Sequence, residues 1–220
     1  MSEGLMDNNR VILVAKIFSN KEFSHEIYGE SFYICTLEVP RLSQVCDYLP
    51  LTISERLLVD LDLKVGDIVK IDGQLRSYNK FIDGRNRLIL TVFARDIKIV
   101  DDIKEEKNPN QIYLNAYICK KPIYRETPFG REITDLLVAV NRVYNKSDYI
   151  PCIAWGRNAR FSSKLEVGDH IKIWGRIQSR DYQKKYSDGR VENKVAYEVS
   201  ISKMEKVEDE EEEEEVKKLS

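Results

Sequence analysis

The chain has 220 residues, 42% of them hydrophobic and 33% charged, with a formal net charge of −2. That length supports two modest cores, and no apolar run reaches the ~18 residues that a membrane-spanning helix needs. The opening MSEGLMDNNR lacks a basic segment followed by an apolar one, so no secretory signal and a cytoplasmic location are expected.

Taken in chain order, residues 10–18, 32–39, 48–53, 67–75 and 88–100 are runs rich in Val, Ile, Leu, Phe and Tyr, and each predicts a strand. Residues 54–59, between the third and fourth runs, predict a short helix. A charged, Pro-containing stretch, 101–109, reads as a linker. The pattern then repeats, with strands expected at 111–119, 133–142, 149–155, 170–180 and 194–203 and a short helix at 157–165. Three strands, a helical turn and two strands is the order of an oligonucleotide/oligosaccharide-binding (OB) barrel. Five-stranded SH3-like barrels remain open from pattern alone, though they normally lack the inserted helix. The fold expected is all-β: two tandem five-stranded OB-fold barrels, each with a short helix between strands three and four, at 1–100 and 110–207. The acidic residues 208–220 are expected to be a disordered tail.

The repetition extends to sequence. LKVGDIVKIDGQLRSY at 63–78 returns as LEVGDHIKIWGRIQSR at 165–180, an offset of 102, and DYLP at 47–50 returns as DYIP at 148–151, an offset of 101. Two ordered pairs at nearly equal offsets indicate duplication of a whole folding unit. The copies differ in charge. Lys and Arg against Asp and Glu give −1 for residues 1–100, −2 for 101–107, +7 for 108–207 and −6 for 208–220. A basic domain followed by an acidic tail points to a polyanionic ligand for the second copy, with the tail as competitor or recruiter.

The four cysteines show no paired spacing and the two histidines join no cluster, so reduced thiols, no metal site and no cofactor are expected. No constellation of nucleophile, base and orienting group appears, so no catalytic residue is assigned and the chain reads as a binding protein.

Alternation along residues 170–180 sets Ile171, Ile173, Gly175 and Ile177 on one face and Lys172, Trp174, Arg176, Gln178 and Arg180 on the other. Tyr149 and Trp155 share a face of the neighbouring run, giving an expected base-stacking platform beside the strand that carries Trp174. Arg142, Lys146, Arg157, Arg160, Lys184, Lys185 and Arg190 would hold phosphates, with Lys172, Arg176 and Arg180. Tyr182 and Tyr186, interleaved with Lys184 and Lys185, suit a hairpin finger turning at Asp188 and Gly189. Solvated surface and barrel-end packing are the plainer readings of each residue taken alone.

LLVAVNRVY at 136–144, SDYIPCIAWGRNAR at 147–160, LEVGDHIKIWGRIQSRDY at 165–182 and YEVSISKMEKV at 197–207 resemble, in order and spacing, the bacterial single-stranded DNA-binding protein family. The first copy resembles it more weakly, so the chain looks like a two-barrel member. The resemblance implies base stacking at Tyr149, Trp155 and Tyr182 and basic contacts at Arg142, Arg157 and Arg180. It also implies sequence-nonspecific protection of single-stranded DNA in replication, repair and recombination, nucleoid association, and a homodimer holding four barrels. Replication or repair proteins would be partners through the acidic tail, although the acids here follow the barrel directly. The first copy has Ser54 or Glu55 where Trp155 stands. The competing expectations are an interaction scaffold of a replication or primosome complex and a single-stranded RNA binder.

Overall fold

A computed structural model describes residues 8–208 except 42, 44, 83, 104–106, 144 and 187–188. The acidic tail beyond Glu208 and the Asp188 turn residue thus lie outside the described residues. Among the described residues twelve strands form one continuous sheet. In the first half these are β1 (Asn9–Ile17), β2 (Glu22–Ile27), β3 (Glu30–Pro40), β4 (Cys46–Ser54), β5 (Ile68–Ile82) and β6 (Arg85–Ile99). The second half holds β7 (Asn110–Ile118), β8 (Ile123–Glu126), β9 (Glu132–Asn141), β10 (Ser147–Trp155), β11 (His170–Lys185) and β12 (Val191–Lys206).

Five strands in each half close on themselves. The order β3-β4-β6-β5-β1 is sealed where β1 returns to β3 at Lys16 and Glu38. The second half repeats it as β9-β10-β12-β11-β7, sealed at Tyr117 and Ala139. In both, one pair is parallel, with Leu51 beside Val92 and Cys152 beside Val199. Inward residues of the first barrel include Leu13, Leu37, Leu49, Leu51 and Ile71; those of the second include Leu114, Val138, Ile150, Ile171 and Ile173, all fully buried. These are the two OB barrels that the strand order predicts.

Each barrel also carries a sixth short strand. β2 pairs with β3 and β8 with β9, and both are exposed along their whole length, so no apolar alternation marks them. The first connecting segment, Glu55–Leu58, is a single 3-10 turn capped by the Ser54 hydroxyl, which accepts from the Arg56 N–H at 3.2 Å. Its counterpart α1 (Arg157–Ser162) is a true helix that buries Ala159 and Ser162, while Phe161 turns to solvent and Leu165 closes the barrel end. Gly73 and Gly175 sit at equivalent bulges, where a Cβ would collide with the carbonyl oxygens of Phe93 and Ser200.

The barrels are joined edge to edge. The first half of β1 runs antiparallel to β7, from Asn9 opposite Leu114 to Leu13 opposite Asn110. Buried Asn9 bonds both the N–H and the carbonyl of Leu75, and its repeat mate Asn110 does the same to Ile177. The two repeated motifs meet across this joint. Asp47, fully buried, accepts from the Ser179 N–H at 2.7 Å and is flanked by Arg41 and Arg176. Asp148, also fully buried, accepts from the Ser77 N–H at 2.7 Å and is flanked by Arg76 and Arg142. The same lock is thus built twice, about a pseudo-two-fold axis.

Candidate nucleic-acid interface

β10 carries the proposed platform. Tyr149 and Trp155 point outward and are 45% and 39% exposed, while Ile153 between them is buried. Six residues of strand separate the rings by roughly 20 Å, so they are two stations rather than one stack. The Tyr149 N–H donates to the Ser77 hydroxyl at 2.7 Å, which places this station at the joint with the first barrel. Trp155 lies at the far end, two residues before exposed Arg157 in α1. In the first barrel the equivalent position is Ser54, buried and hydrogen-bonded to Glu30.

Trp174 stands elsewhere than the sequence suggests. β12 lies between β10 and β11, so Trp174 is two strands from Trp155. In a closed five-stranded barrel the outward direction turns by about 72° per strand, and the two indoles diverge. Trp174 packs instead against Tyr113 of β7, ring centroids 5.3 Å apart, with the Lys203 ammonium 4.7 Å over its ring. Half-buried Lys172 lies on the same face.

The β11–β12 hairpin concentrates charge on aromatics. The Arg180 guanidinium is 6.0 Å from the Tyr182 ring, and Arg180 Nε is 3.5 Å from Glu198. Tyr186 is surrounded by Lys184, Arg190 and Lys194 at 5.3, 5.3 and 5.7 Å, and its hydroxyl donates to Glu192 at 2.6 Å. These bonds from Tyr186, followed by Lys194, hold the Glu192 carboxyl below its ordinary range. Lys194 was not among the expected contacts. The ladder sets it opposite Tyr182, a register that the position of the Gly189 turn already fixes.

The arginines divide into two groups. Arg142 Nε lies 3.2 Å from Asp148, close enough for an ion pair though off the hydrogen-bond line. Arg176 reaches Asp47 at 3.5 Å and Gln178 at 2.9 Å. Burial, then the neighbouring Arg41, pushes its pKa down, while Asp47 opposes the shift. Arg142 and Arg176 are therefore held in the joint between barrels. Arg160 pairs with Glu132 at 3.1 Å, while Lys146, Arg157, Lys185 and Arg190 are exposed around the rim. Among the described residues no group of three or more His, Cys, Asp and Glu side chains is placed to hold a metal ion, and no helix is long and apolar enough to cross a membrane.

The chain is thus a tandem of OB barrels, the second carrying Tyr149, Trp155 and Tyr182 exposed on its outer side. Residues 109–207, the second barrel, match the model described as the Single-strand binding protein family. Single-stranded DNA-binding protein 2 of Listeria innocua is 32% identical over 88 residues, 37% of this chain and 54% of that one. The chain thus spans about half the length of that curated relative. The wild-type single-stranded DNA binding protein from Thermus aquaticus superposes with a TM-score of 0.69 at 20% identity, covering 91% of this chain and 93% of that one, a likeness of fold. The dimeric N-terminal domain of PriB from Thermoanaerobacter tencongensis is 57% identical, covering 44% of this chain and all of that one, with a TM-score of 0.39.

Proposed function

We propose that the chain binds single-stranded DNA without sequence preference and without catalysis, chiefly through the second barrel, residues 110–207. The observation that carries this reading is the asymmetry between the copies: Trp155 and Tyr182 are exposed among lysines and arginines in the second, where the first has Ser54 and Lys80, while Tyr149 and its mate Tyr48 are both exposed. Stacking on such rings tolerates every base and contributes roughly 1–3 kcal/mol per base. The test is a titration with oligo-dT. A Tyr149→Ala/Trp155→Ala variant should bind at least tenfold more weakly, and undiminished affinity would sink the assignment. Competition between oligo-dT and oligo-U settles DNA against RNA. Protection of single strands in replication, repair and recombination, in the cytoplasm and near the nucleoid, is the role that fits.

A second reading gives the first barrel, residues 1–100, an assembly role. It is favoured by an exposed apolar group in that barrel: Phe18, Phe23, Ile27 and Tyr48, at 50, 62, 48 and 41%. The partner is a second copy of the chain, giving four barrels. Light scattering should report a dimer, and a strict monomer would overturn it. Replication or repair proteins are partners for the acidic tail, whose −6 charge also competes for the basic barrel. Deleting residues 208–220 should then raise DNA affinity at low salt.

A further inference from the structure

The β5–β6 and β11–β12 hairpins face each other near the pseudo-two-fold axis. Ser77 pairs with Leu90 and Ser179 with Tyr197, and the two serines are repeat mates. Counting along each ladder makes Leu88 the mate of Val195 and Arg87 the mate of Lys194. One groove of about 600 Å³ is lined by all four, together with Ile82 and its mate Lys184. The groove therefore straddles the axis; its mates agree in character at Leu88 and Val195 and at Arg87 and Lys194, and differ at Ile82 and Lys184. The first barrel supplies an apolar wall centred on Leu88, which is 38% exposed, with Arg87 at its margin. The second supplies the cations Arg180, Lys184 and Lys194 with Tyr182, and Val195, 47% exposed, beside them. The acid on that wall, Glu198, is engaged by Gln178 at 2.7 Å and by Arg180.

An occupant of this groove needs an apolar edge facing one wall and an anionic edge facing the other. A single nucleic-acid strand has both, in its unpaired bases and its phosphates, whereas a duplex hides its base faces. We infer that a segment of single strand lies in this groove, bases on the Leu88 wall and phosphates on Arg180 and Lys184. The first barrel then takes part in binding through its hairpin rather than through its own sheet. The inference rests on the strand-binding reading above and adds the first barrel's contribution to it.

The experiment is an anisotropy titration of the full-length chain with labelled oligo-dT across a salt series. Leu88→Ser should weaken binding about fivefold with the salt slope unchanged, since it removes apolar contact and no charge. Lys184→Gln should lower the salt slope by about 0.7, one phosphate contact on a single strand. Matching circular dichroism of the variants and the parent excludes misfolding. If Leu88→Ser binds like the parent while the Tyr149→Ala/Trp155→Ala variant is weakened, the groove is refuted and the strand-binding reading stands. A parent chain that holds no oligo-dT at low salt removes both.

Discussion

The Asp47 carboxylate in the first barrel accepts a hydrogen bond at 2.7 Å from the backbone N–H of Ser179 in the second, and the repeat mates Asp148 and Ser77 make the same bond in the opposite sense. Each carboxylate is fully buried and carries two arginines. The joint between barrels is therefore ionic at its two ends and β-ladder in its middle.

Removing one partner of a buried ion cluster strands the others. Asp148→Ala leaves Arg76 and Arg142 without their shared carboxylate, and should cost about 3 kcal/mol in urea denaturation. Arg76 is already pushed down by burial, with Asp148 the main group raising it, so the loss falls hardest there. A change under 0.5 kcal/mol would show that the cluster is structurally idle.

Gly175→Ala should destabilise the second barrel by about 1–3 kcal/mol, because the new Cβ meets the Ser200 carbonyl, part of the backbone. Gly73→Ala should do the same in the first, against Phe93. Thermal melts of both variants check the equivalence of the two bulges, and an unchanged midpoint in either would break it.

The two indoles should report differently on DNA. Trp174 is already covered by Tyr113 and Lys203, whereas Trp155 is open on β10. Quenching by oligo-dT should survive in Trp174→Phe and vanish in Trp155→Phe. The reverse pattern would move the site onto the central sheet.

Burial pushes the Cys35 thiol up to about 11 and raises that of Cys152 as well. Unfolded thiols ionise near 8.5, so both groups add stability that is complete below that pH. It is lost as pH rises from about 9 towards 11, where unfolded thiols ionise and folded ones stay protonated. At pH 8 burial keeps the Cys35 thiol protonated. Ellman's reagent should accordingly label Cys35 and Cys152 only on unfolding. Rapid labelling of either in the native protein would contradict this burial.

Strands that pack on a core were legible from sequence, because β1, β4 and β10 carry short apolar runs buried against a closed barrel. β2 and β8 were not, since EFSHEI and IYRE have no buried face to leave a pattern. Alternation also set Arg176 and Trp174 on one outward face, correctly. What it could not supply was the neighbour: the carboxylate at Arg176 is Asp47, 129 positions away. Arg142 and Arg176 thus share with Lys146 and Arg157 every sequence sign of a surface cation and differ only in what the other barrel brings to them. Likewise DYLP and its echo reveal duplication when read in a line, and their use as a lock appears only when the copies face each other.

Pairing β1 with β7 has a consequence for how the protein endures dilution. Two separate barrels would have to find each other, and their association would fade with concentration. Tethered by residues 100–109, the edges meet at an effective concentration on the order of millimolar whatever the amount of protein. The two-barrel unit and the groove across its axis are thereby available in a single molecule, before any second copy arrives.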